Sequence, residues 1–583
     1  MRFRSTRKWD DITSSKGLLY FAQLIDELLF DYTIDAYKPS AMNTALLASE
    51  AYSTFKKVEE GIIMKPNLEH VTREFCSNLS RDMVAQSLLH VDVKGIINSL
   101  SKAPTSHDSF ITLDLVRKQI PIHLYKKRNE EMLISEITGT QNLSAIRSLT
   151  RSYITTLLNF GYSSKYIERE SQQFFFYSSD RISNGDAIRE YLKIFSGTLK
   201  KYTAFYKTPE YFAEFSEAAK RLDIDIYNDS RDFTELIIDN NFELKNGQNL
   251  LRVKAIDSQD PYSAKVAADK GIELLQTLIG LYHHKEPPRL SFECLIIEEN
   301  SNKPLRSTKN LHPMHKCVDL KRGPAAKRLT KFVAGFSMKR ESFRKFHRSA
   351  ELHALALSSD SVENQMINLW IALESLIPSK GSDKASIEHV VDSVIPFLNS
   401  SYIKKLLLSL CRDLFRWNGR FMKILLKDIE GKDLVSRLAG LLSLQKHESA
   451  RKRLESSFGE FILLSERYNY IKGFLSSPDL VAEILDRHKE RVSWQIRRIY
   501  RARNLIVHEG TTPTFAKVLI ENIHDYLDTV VNALMTMASE GKINTIEQGF
   551  KHVELNYTAY HSALRTKGLS FDEVNFEKLL FPR

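Results

Sequence analysis

The segment that most constrains the fold of this chain is residues 494–510, WQIRRIYRARNLIVHEG. Its polar and apolar side chains fall on separate faces when the segment is helical. On an α-helix that advances about 100° per residue, four polar side chains share one face: Arg497, Arg501, Asn504 and His508. Four apolar side chains lie opposite and form the stripe of a helix packed on a core: Ile496, Ile499, Ile506 and Val507. Gly510 and Pro513 complete a helix stop pattern. The segment predicts an amphipathic helix with a solvated basic face that ends in a histidine.

Two predicted helices each carry one charged residue among apolar neighbours. Arg503 lies on the apolar side of residues 494–510, and Glu374 lies on the apolar face of residues 363–378, ENQMINLWIALESLIP. A buried charge is tolerated only when it is paired or put to use. We therefore hypothesise that the two helices pack together and that Glu374 meets Arg503.

Residues 503–508, RNLIVH, match a short signature of known proteins. They fit the R-x4-H motif, with the common Asn after the Arg, of the HEPN superfamily, which includes many metal-independent ribonucleases of toxin–antitoxin and phage-defence systems. The upstream residues 369–376, LWIALESL, also resemble the first helix of the ApeA-like HEPN branch of antiphage proteins. The resemblance covers roughly residues 362–540 and implies a compact helical bundle for this part of the chain.

The resemblance implies an endoribonuclease that needs no metal, because RNA carries its own nucleophile, the 2′-hydroxyl. His508 would transfer protons, Arg503 would stabilise the phosphate charge, and Asn504 would orient one of them. The products would be a 2′,3′-cyclic phosphate and a 5′-hydroxyl. Three further residues are expected to support the motif helix or to steer the RNA backbone: Glu374, Arg497 and Arg501.

Arg503 and His508 lie about 140° apart on an ideal helix, so one copy of the motif does not clearly aim both groups at one phosphate. HEPN nucleases pair two such domains, which implies a homodimer with a composite site. By analogy with defence ribonucleases, the N-terminal region is expected to sense or restrain, with a phage-derived trigger or a regulatory subunit as partner and an RNA such as tRNA as substrate. The alternative is a catalytically silent HEPN scaffold that binds RNA or mediates dimerisation for a partner protein.

Composition and cysteine usage favour a cytoplasmic protein. Hydrophobic residues make up 43% and charged residues 27% of the chain, no uncharged apolar run reaches the ~20 residues of a membrane span, and no apolar core follows the basic N-terminus. Without C-x-x-C spacing, the four cysteines are expected to be reduced thiols rather than disulfides or zinc ligands: Cys76, Cys294, Cys317 and Cys411. We therefore expect no metal, no cofactor and no membrane contact.

The net charge of +11 lies almost entirely in one segment. Residues 303–348 contain fourteen Lys or Arg but only two acidic residues, Asp319 and Glu341. The prolines and Gly323 of this segment indicate a loop-rich connector in which residues 329–336, LTKFVAGF, are ordered. The functional interpretation is a phosphate-binding strip that leads RNA to the motif helix, and the structural interpretation is a solvated linker.

The whole chain is predicted to have an α+β, predominantly α fold: a mixed α/β N-terminal region followed by a C-terminal HEPN-like helical bundle. The regions expected are a mostly helical N-terminal region at 1–156, a mixed α/β region at 157–300, a basic connector at 301–360, a HEPN-like bundle with a helical insertion at 361–540, and a helical appendage at 541–583. Within the first region, FITLDLV and IPIHLY, residues 110–116 and 120–125, alternate in the manner of strands.

Two other patterns carry weaker functional alternatives. Asp223 and Asp225 form a D-x-D pair that can hold Mg²⁺, as in the minimal nucleotidyltransferases that accompany some HEPN proteins. The Gly-Ser turn of those enzymes is missing, so a solvated turn is favoured. The aromatic run FFFY, residues 174–177, is interpreted as core rather than as a stacking platform for bases.

Overall fold

The computed structural model describes residues 1–30, 37–62, 65–229, 231–283, 290–291, 293–299, 301, 304–308, 312–316, 320–336, 338–379 and 386–582. The chain is 68% helix and 6% strand, with one small antiparallel sheet, which confirms the predominantly α fold class. It forms two compact units. The first combines residues 1–152 with residues 312–583, and the second contains residues 153–311.

Eight helices open the chain, and the last of them crosses the boundary between the units: α1 (Lys16–Leu28), α2 (Thr44–Glu59), α3 (Lys65–Leu79), α4 (Met83–Leu88), α5 (Val93–Lys102), α6 (His107–Gln119), α7 (Ile122–Ser135) and α8 (Leu143–Asn159). Polar side chains fix several helix starts. Asn43 accepts a hydrogen bond from the backbone N–H of Leu46 at 3.0 Å, and Asp82 accepts one from Val84. Each cap satisfies an N–H group that a helix start leaves without an intrahelical partner.

The strand-like pattern at residues 110–125 is a wrong prediction, because these residues form α6 and α7. Ser106 caps α6 through its hydroxyl, and Pro121 lies at the N-cap of α7, where a proline ring does not obstruct the helix. The alternation has a simple source. Ile111 and Leu115 are 54% and 45% exposed, so α6 carries apolar side chains on its solvent side as well as in the core.

The second unit contains the sheet. Its elements are α9 (Ser164–Gln172), α10 (Ala187–Lys193), β1 (Lys200–Pro209), α11 (Ser216–Lys220), β2 (Ile224–Tyr227), α12 (Thr234–Asp239), β3 (Gln248–Ser258), α13 (Pro261–Gly280), β4 (Cys294–Glu298) and β5 (Leu305–Ser307). The strands are antiparallel in the order β2-β3-β1-β4-β5. Apolar residues of α13 cover one face, and Phe242 packs on the other with Leu250 and Leu295. Asp260 caps α13 and accepts from Tyr262 and Ser263.

Eleven further helices belong to the first unit: α14 (Arg322–Ala334), α15 (Arg340–Ser358), α16 (Val362–Leu376), α17 (Ser386–Leu425), α18 (Leu434–Ser443), α19 (Glu448–Glu455), α20 (Ile462–Phe474), α21 (Pro478–Glu509), α22 (Ala516–Ser539), α23 (Ile546–Leu564) and α24 (Phe576–Leu580). One hydrophobic core unites the helices around α21, and its members come from α16, α17, α21, α22 and α23: Trp370, Val394, Ile499, Leu527 and Phe550. This core positions the helix that carries the R-x4-H motif.

The basic segment is more ordered than a loop-rich connector. Most of its described residues lie in α14 and α15, and residues 303, 309–311, 317–319 and 337 lie outside the described part of the chain. Gly323 and Pro324 occupy the first turn of α14, which tolerates a proline because its N–H would have no intrahelical acceptor. No residue of α14 is buried. The segment therefore presents its cations on a helix rather than on a flexible linker.

Three of the four cysteines are buried free thiols: Cys76, Cys294 and Cys411. Burial raises the pKa of each thiol to about 11, so all three are protonated at neutral pH. Cys317 lies outside the described residues. Among the described helices, none has the length and apolar content that crossing a membrane requires.

A close approach of two backbones depends on Gly335, at the end of α14. A Cβ atom at this position would lie 2.5 Å from the carbonyl oxygen of Ser539, the last residue of α22. We expect Gly335→Ala to push α14 away from α22 and to lower the free energy of unfolding by about 1–3 kcal/mol, measured by chemical denaturation. Gly473→Ala in α20 is the control, because its Cβ would meet nothing within 4 Å. Equal stability of the two variants would contradict this contact.

Candidate functional site

The R-x4-H motif, residues 503–508, occupies the last turns of the 32-residue helix α21. Ser477 caps the start of this helix and accepts from the backbone N–H of Leu480, and Pro478 follows in its first turn. Gly510 ends the helix in the left-handed conformation, with φ of 62°, and donates to the carbonyl oxygen of Leu505. The predicted helix and its stop are confirmed, and the motif lies where the helix emerges from the core.

Inside the motif, one hydrogen bond links the two residues that begin it. Arg503 is half-buried and donates from Nη1 to Oδ1 of Asn504 at 3.0 Å. Its Nε–H is buried and finds no acceptor among the described residues. His508 is exposed one turn further on. Asn504 thus holds the arginine fork without neutralising its charge, since an amide oxygen carries none.

The hypothesised ion pair between Glu374 and Arg503 is wrong. The helices do pack together, and the rings of Trp370 and Tyr500 meet with centroids 5.5 Å apart. Glu374, however, is exposed and makes no ion pair with Arg503. It follows Leu373, which is buried, and lies at the edge of the apolar face, where its carboxylate remains hydrated. Keeping that carboxylate in water avoids a desolvation penalty of several kcal/mol.

The solvated basic face predicted for α21 is wrong in part. Ile496, Ile499 and Ile506 are buried as predicted, but Val507, predicted to be buried with them, is 45% exposed. Arg501, predicted to face RNA, is only 5% exposed. The exposed Val507 shows that the core does not reach the end of the apolar stripe, and the buried Arg501 shows that other helices cover part of the predicted polar face.

Arg501 is buried because two carboxylates from the N-terminal helices reach it and its neighbour. Its Nη2 donates to Glu50 of α2 at 2.9 Å. Arg498, 3% exposed, donates from Nη2 to Glu74 of α3 at 2.6 Å and to Glu50 at 3.2 Å. Two guanidinium groups and two carboxylates form a buried four-residue cluster with no net charge. More than four hundred residues separate its two halves, so helical periodicity alone could not reveal it.

The cluster shifts the pKa values of its two carboxyl groups in opposite directions. Burial raises the pKa of Glu50, but attraction to Arg498 and Arg501 outweighs burial and lowers it to about 2. Burial dominates at Glu74 and raises its pKa despite the ion pair with Arg498. Glu50, which contacts both cations, is therefore the carboxylate that holds its negative charge most firmly.

Arg497 lines a surface pocket of about 470 Å³. Two side chains of α3, His70 and Arg73, share this pocket with it, together with Asp392 and Lys489. Burial, followed by repulsion from Arg497 and Arg73, lowers the pKa of His70 to about 4, so its imidazole is neutral at pH 7. Sequence reasoning missed His70 and Arg73, because they come from a distant helix and belong to no motif.

The other candidate patterns carry no site. Asp225 is paired with Arg252 at 2.6 Å and with Lys254 at 2.7 Å, so it already has two cations and is not free to hold Mg²⁺ with Asp223. In the aromatic run, the core interpretation holds for Phe175, which is fully buried with its ring 4.7 Å from that of Tyr191, but not for Tyr177, which is 60% exposed.

Comparison of the chain with protein-family models, with curated proteins and with solved structures found no match in any of the three. The geometry of the described residues therefore carries the functional argument.

Removal of the Glu50 charge tests the buried cluster. We expect Glu50→Gln to lower the free energy of unfolding by about 3–5 kcal/mol at pH 7, because Arg501 then loses its carboxylate in a buried setting. With a pKa of about 2 folded and 4.5 unfolded, Glu50 stabilises the fold above pH 4.5 and loses this effect as the pH falls to 2. The stability gap to wild type should shrink over that window.

Chemical denaturation at pH 7, 4.5 and 3 measures this gap. Glu483→Gln is the control, since Glu483 is 41% exposed on the same helix and its ion-pair partner among the described residues is Arg487. The effect of this variant should stay below about 0.5 kcal/mol. A Glu50→Gln gap that does not change with pH would contradict the proposed electrostatic origin.

Proposed function

We propose that this chain is a metal-independent endoribonuclease in which Arg503, Asn504 and His508 act on the scissile phosphate of RNA. The observation that carries the proposal is the state of Arg503. Its neighbours Arg498 and Arg501 are neutralised by carboxylates, whereas Arg503 donates to the neutral amide of Asn504 and forms no ion pair with a described carboxylate. A half-buried cation that keeps its charge is an anion-binding group, and a guanidinium fork matches the oxygens of a phosphate.

His508 supplies the second requirement of RNA cleavage by the 2′-hydroxyl, which is proton transfer. It is exposed at the end of α21, within reach of a bound RNA. An imidazole is suited to accept or donate a proton near neutral pH. Asn504 has the positioning role, because its hydrogen bond to Nη1 fixes the plane of the Arg503 guanidinium.

A composite site in a homodimer brings these groups to one phosphate. The separation of about 140° on the helix keeps the Arg503 and His508 side chains of one copy apart. The exposed Val507 lies between them in sequence and offers an apolar contact for a second copy of the same helix end. A twofold arrangement would place Arg503 of one copy beside His508 of the other.

The basic helices α14 and α15 are proposed to attract the RNA backbone. Arg322, Lys327 and Arg328 are exposed on α14, and no described carboxylate forms an ion pair with them. Contacts of this kind supply affinity that does not depend on sequence. Arg497, with His70 and Arg73 in the adjoining pocket, remains available to steer the strand, whereas Arg501 is committed to Glu50.

The N-terminal helices are proposed to restrain the enzyme until a trigger arrives, as in abortive-infection defence. Lys57 of α2 pairs with Glu509 at 2.7 Å, immediately after His508. The same helix carries Glu50, which holds Arg498 and Arg501. A ligand or partner that shifts α2 would therefore act directly on the end of the motif helix.

Point variants test the catalytic proposal. We expect wild-type protein to cleave RNA in EDTA, with 5′-hydroxyl and cyclic-phosphate ends. Arg503→Ala should lower the rate by roughly 10²–10³-fold, His508→Ala by roughly 10²–10⁴-fold, and Asn504→Ala by about 10- to 100-fold. Total RNA and tRNA on denaturing gels, from cells with and without phage challenge, provide the measurement. His283→Ala, an exposed histidine of the second unit, is the matched control. Intact RNA under all conditions would favour the alternative, a catalytically silent scaffold.

Mixing two inactive variants tests the composite site. A 1:1 mixture of Arg503→Ala and His508→Ala should regain about a quarter of wild-type activity, because half of the dimers are mixed and each mixed dimer has one complete site. No recovery, from variants that still dimerise, would place both groups of one phosphate site in a single copy.

A further inference from the structure

Three metal-ligating side chains meet on two helices that do not carry the R-x4-H motif. His353 comes from α15, and His524 and Asp528 come from α22. The two residues of α22 are four positions apart, so they project from one face of the helix. A His at i and a carboxylate at i+4 can therefore bind one ion together, and His353 approaches from the opposite helix.

The spacing of the donor groups is compatible with a small cation. Nε2 of His353 lies 3.0 Å from Nε2 of His524. The two oxygens of the Asp528 carboxylate face different imidazoles, with Oδ1 3.8 Å from Nε2 of His353 and Oδ2 3.5 Å from Nε2 of His524. One donor atom from each of the three residues can be chosen so that all lie within 4.8 Å of one another. With bonds of about 2.0–2.1 Å, a tetrahedral ion separates its ligand atoms by about 3.3 Å. A rotation of the Asp528 carboxylate and small shifts of the imidazoles would therefore bring the three groups onto one ion.

The two imidazoles face each other through atoms of the same kind. The two Nε2 atoms lie 3.0 Å apart. At this distance they cannot both carry a hydrogen, because two Nε2–H groups would repel each other. Either one Nε2–H donates to the other Nε2, or both atoms bind the same cation. A cation satisfies both lone pairs and also the carboxylate of Asp528. His524 is 7% exposed, which makes a wrongly paired imidazole costly at this position.

Within the described part of the chain, the group of possible ligands contains three side chains. The nearby carboxylate of Asp525 is paired with Lys405 at 3.0 Å, and Lys405 also donates to Thr529 at 3.1 Å. Asp525 is thus occupied and is not a fourth ligand. Side chains of His353 and Asp528 are 31% and 42% exposed, so solvent reaches the remaining coordination position.

We infer that His353, His524 and Asp528 form a binding site for a divalent transition-metal ion of the Zn²⁺ type, which joins α15 to α22. Two imidazoles and one carboxylate, without thiolate, suit ions of intermediate softness such as Zn²⁺ rather than Ca²⁺ or Mg²⁺. This site goes beyond the proposed ribonuclease function and shares no residue with it. Its ligands stand 171 and 175 positions apart along the chain, which is why no sequence spacing suggested a metal.

The test uses the full chain, stripped with EDTA and then dialysed free of chelator. Wild type should bind one equivalent of Zn²⁺ in calorimetry and show a higher midpoint of thermal unfolding with the ion. Co²⁺, used as a spectroscopic probe, should give the visible absorption of a low-symmetry nitrogen and oxygen site. His353→Ala and Asp528→Asn should weaken binding by at least about 100-fold, and both positions are exposed enough for the variants to fold.

The controls separate this site from adventitious binding by the seventeen histidines of the chain. His347→Ala removes a histidine of α15 that is 61% exposed and should leave the affinity for Zn²⁺ unchanged. Equal binding by wild type and by the His353→Ala, Asp528→Asn double variant would overturn the inference. RNA cleavage by the EDTA-stripped chain is scored separately, so failure of the metal site and failure of the ribonuclease proposal remain distinguishable.

Discussion

The buried cluster of Arg498, Arg501, Glu50 and Glu74 is the interaction on which the arrangement of the first unit depends. It fixes α2 and α3 against the helix that bears the R-x4-H motif. Buried ion pairs add little net stability compared with apolar packing. Removal of one member is nevertheless strongly destabilising, because it leaves the opposite charge buried without a partner and without water. We therefore hypothesise that the cluster contributes to specificity, because the observed placement of α2 and α3 on α21 pairs all four charges.

A second network of buried ion pairs joins N-terminal and C-terminal helices elsewhere in the same unit. Arg467 of α20 donates to Glu27 of α1 at 3.0 Å and to Asp413 of α17 at 2.6 Å. All three side chains are at most 5% exposed. Residues 1–152 are thus attached to the C-terminal helices of the same unit by charges as well as by apolar contacts, and residues 153–311 of the second unit interrupt this unit in the sequence.

Local pattern predicted the parts of this structure that depend on near neighbours. The periodicity of α21 and its stop at Gly510 follow from residues a few positions apart. The packing of α16 against α21 was predicted as well, but from an ion pair that does not form; the contact is made by Trp370 and Tyr500 instead. The failures arise where a partner is distant. Whether Arg501 is solvated or buried depends on Glu50, which lies on a distant helix. Residues 110–125 were predicted to be strands because the apolar Ile111 and Leu115 lie on the exposed side of α6. The grouping of His353 with His524 likewise depends on tertiary packing that no periodicity contains.

The arginines of α21 show why burial alone does not identify a functional charge. Arg498 and Arg501 are the more buried, yet the charge of each is cancelled within the protein, and neither retains attraction for an incoming anion. Arg503 is less buried and is held by an amide, which fixes its geometry but leaves its charge intact. Attraction between a guanidinium and a phosphate strengthens as water is excluded. Arg503 is half-buried and has no carboxylate partner in the described part of the chain, so it has lost part of its hydration without receiving an opposite charge in return. For this reason the proposed phosphate contact is assigned to Arg503 rather than to Arg498 or Arg501.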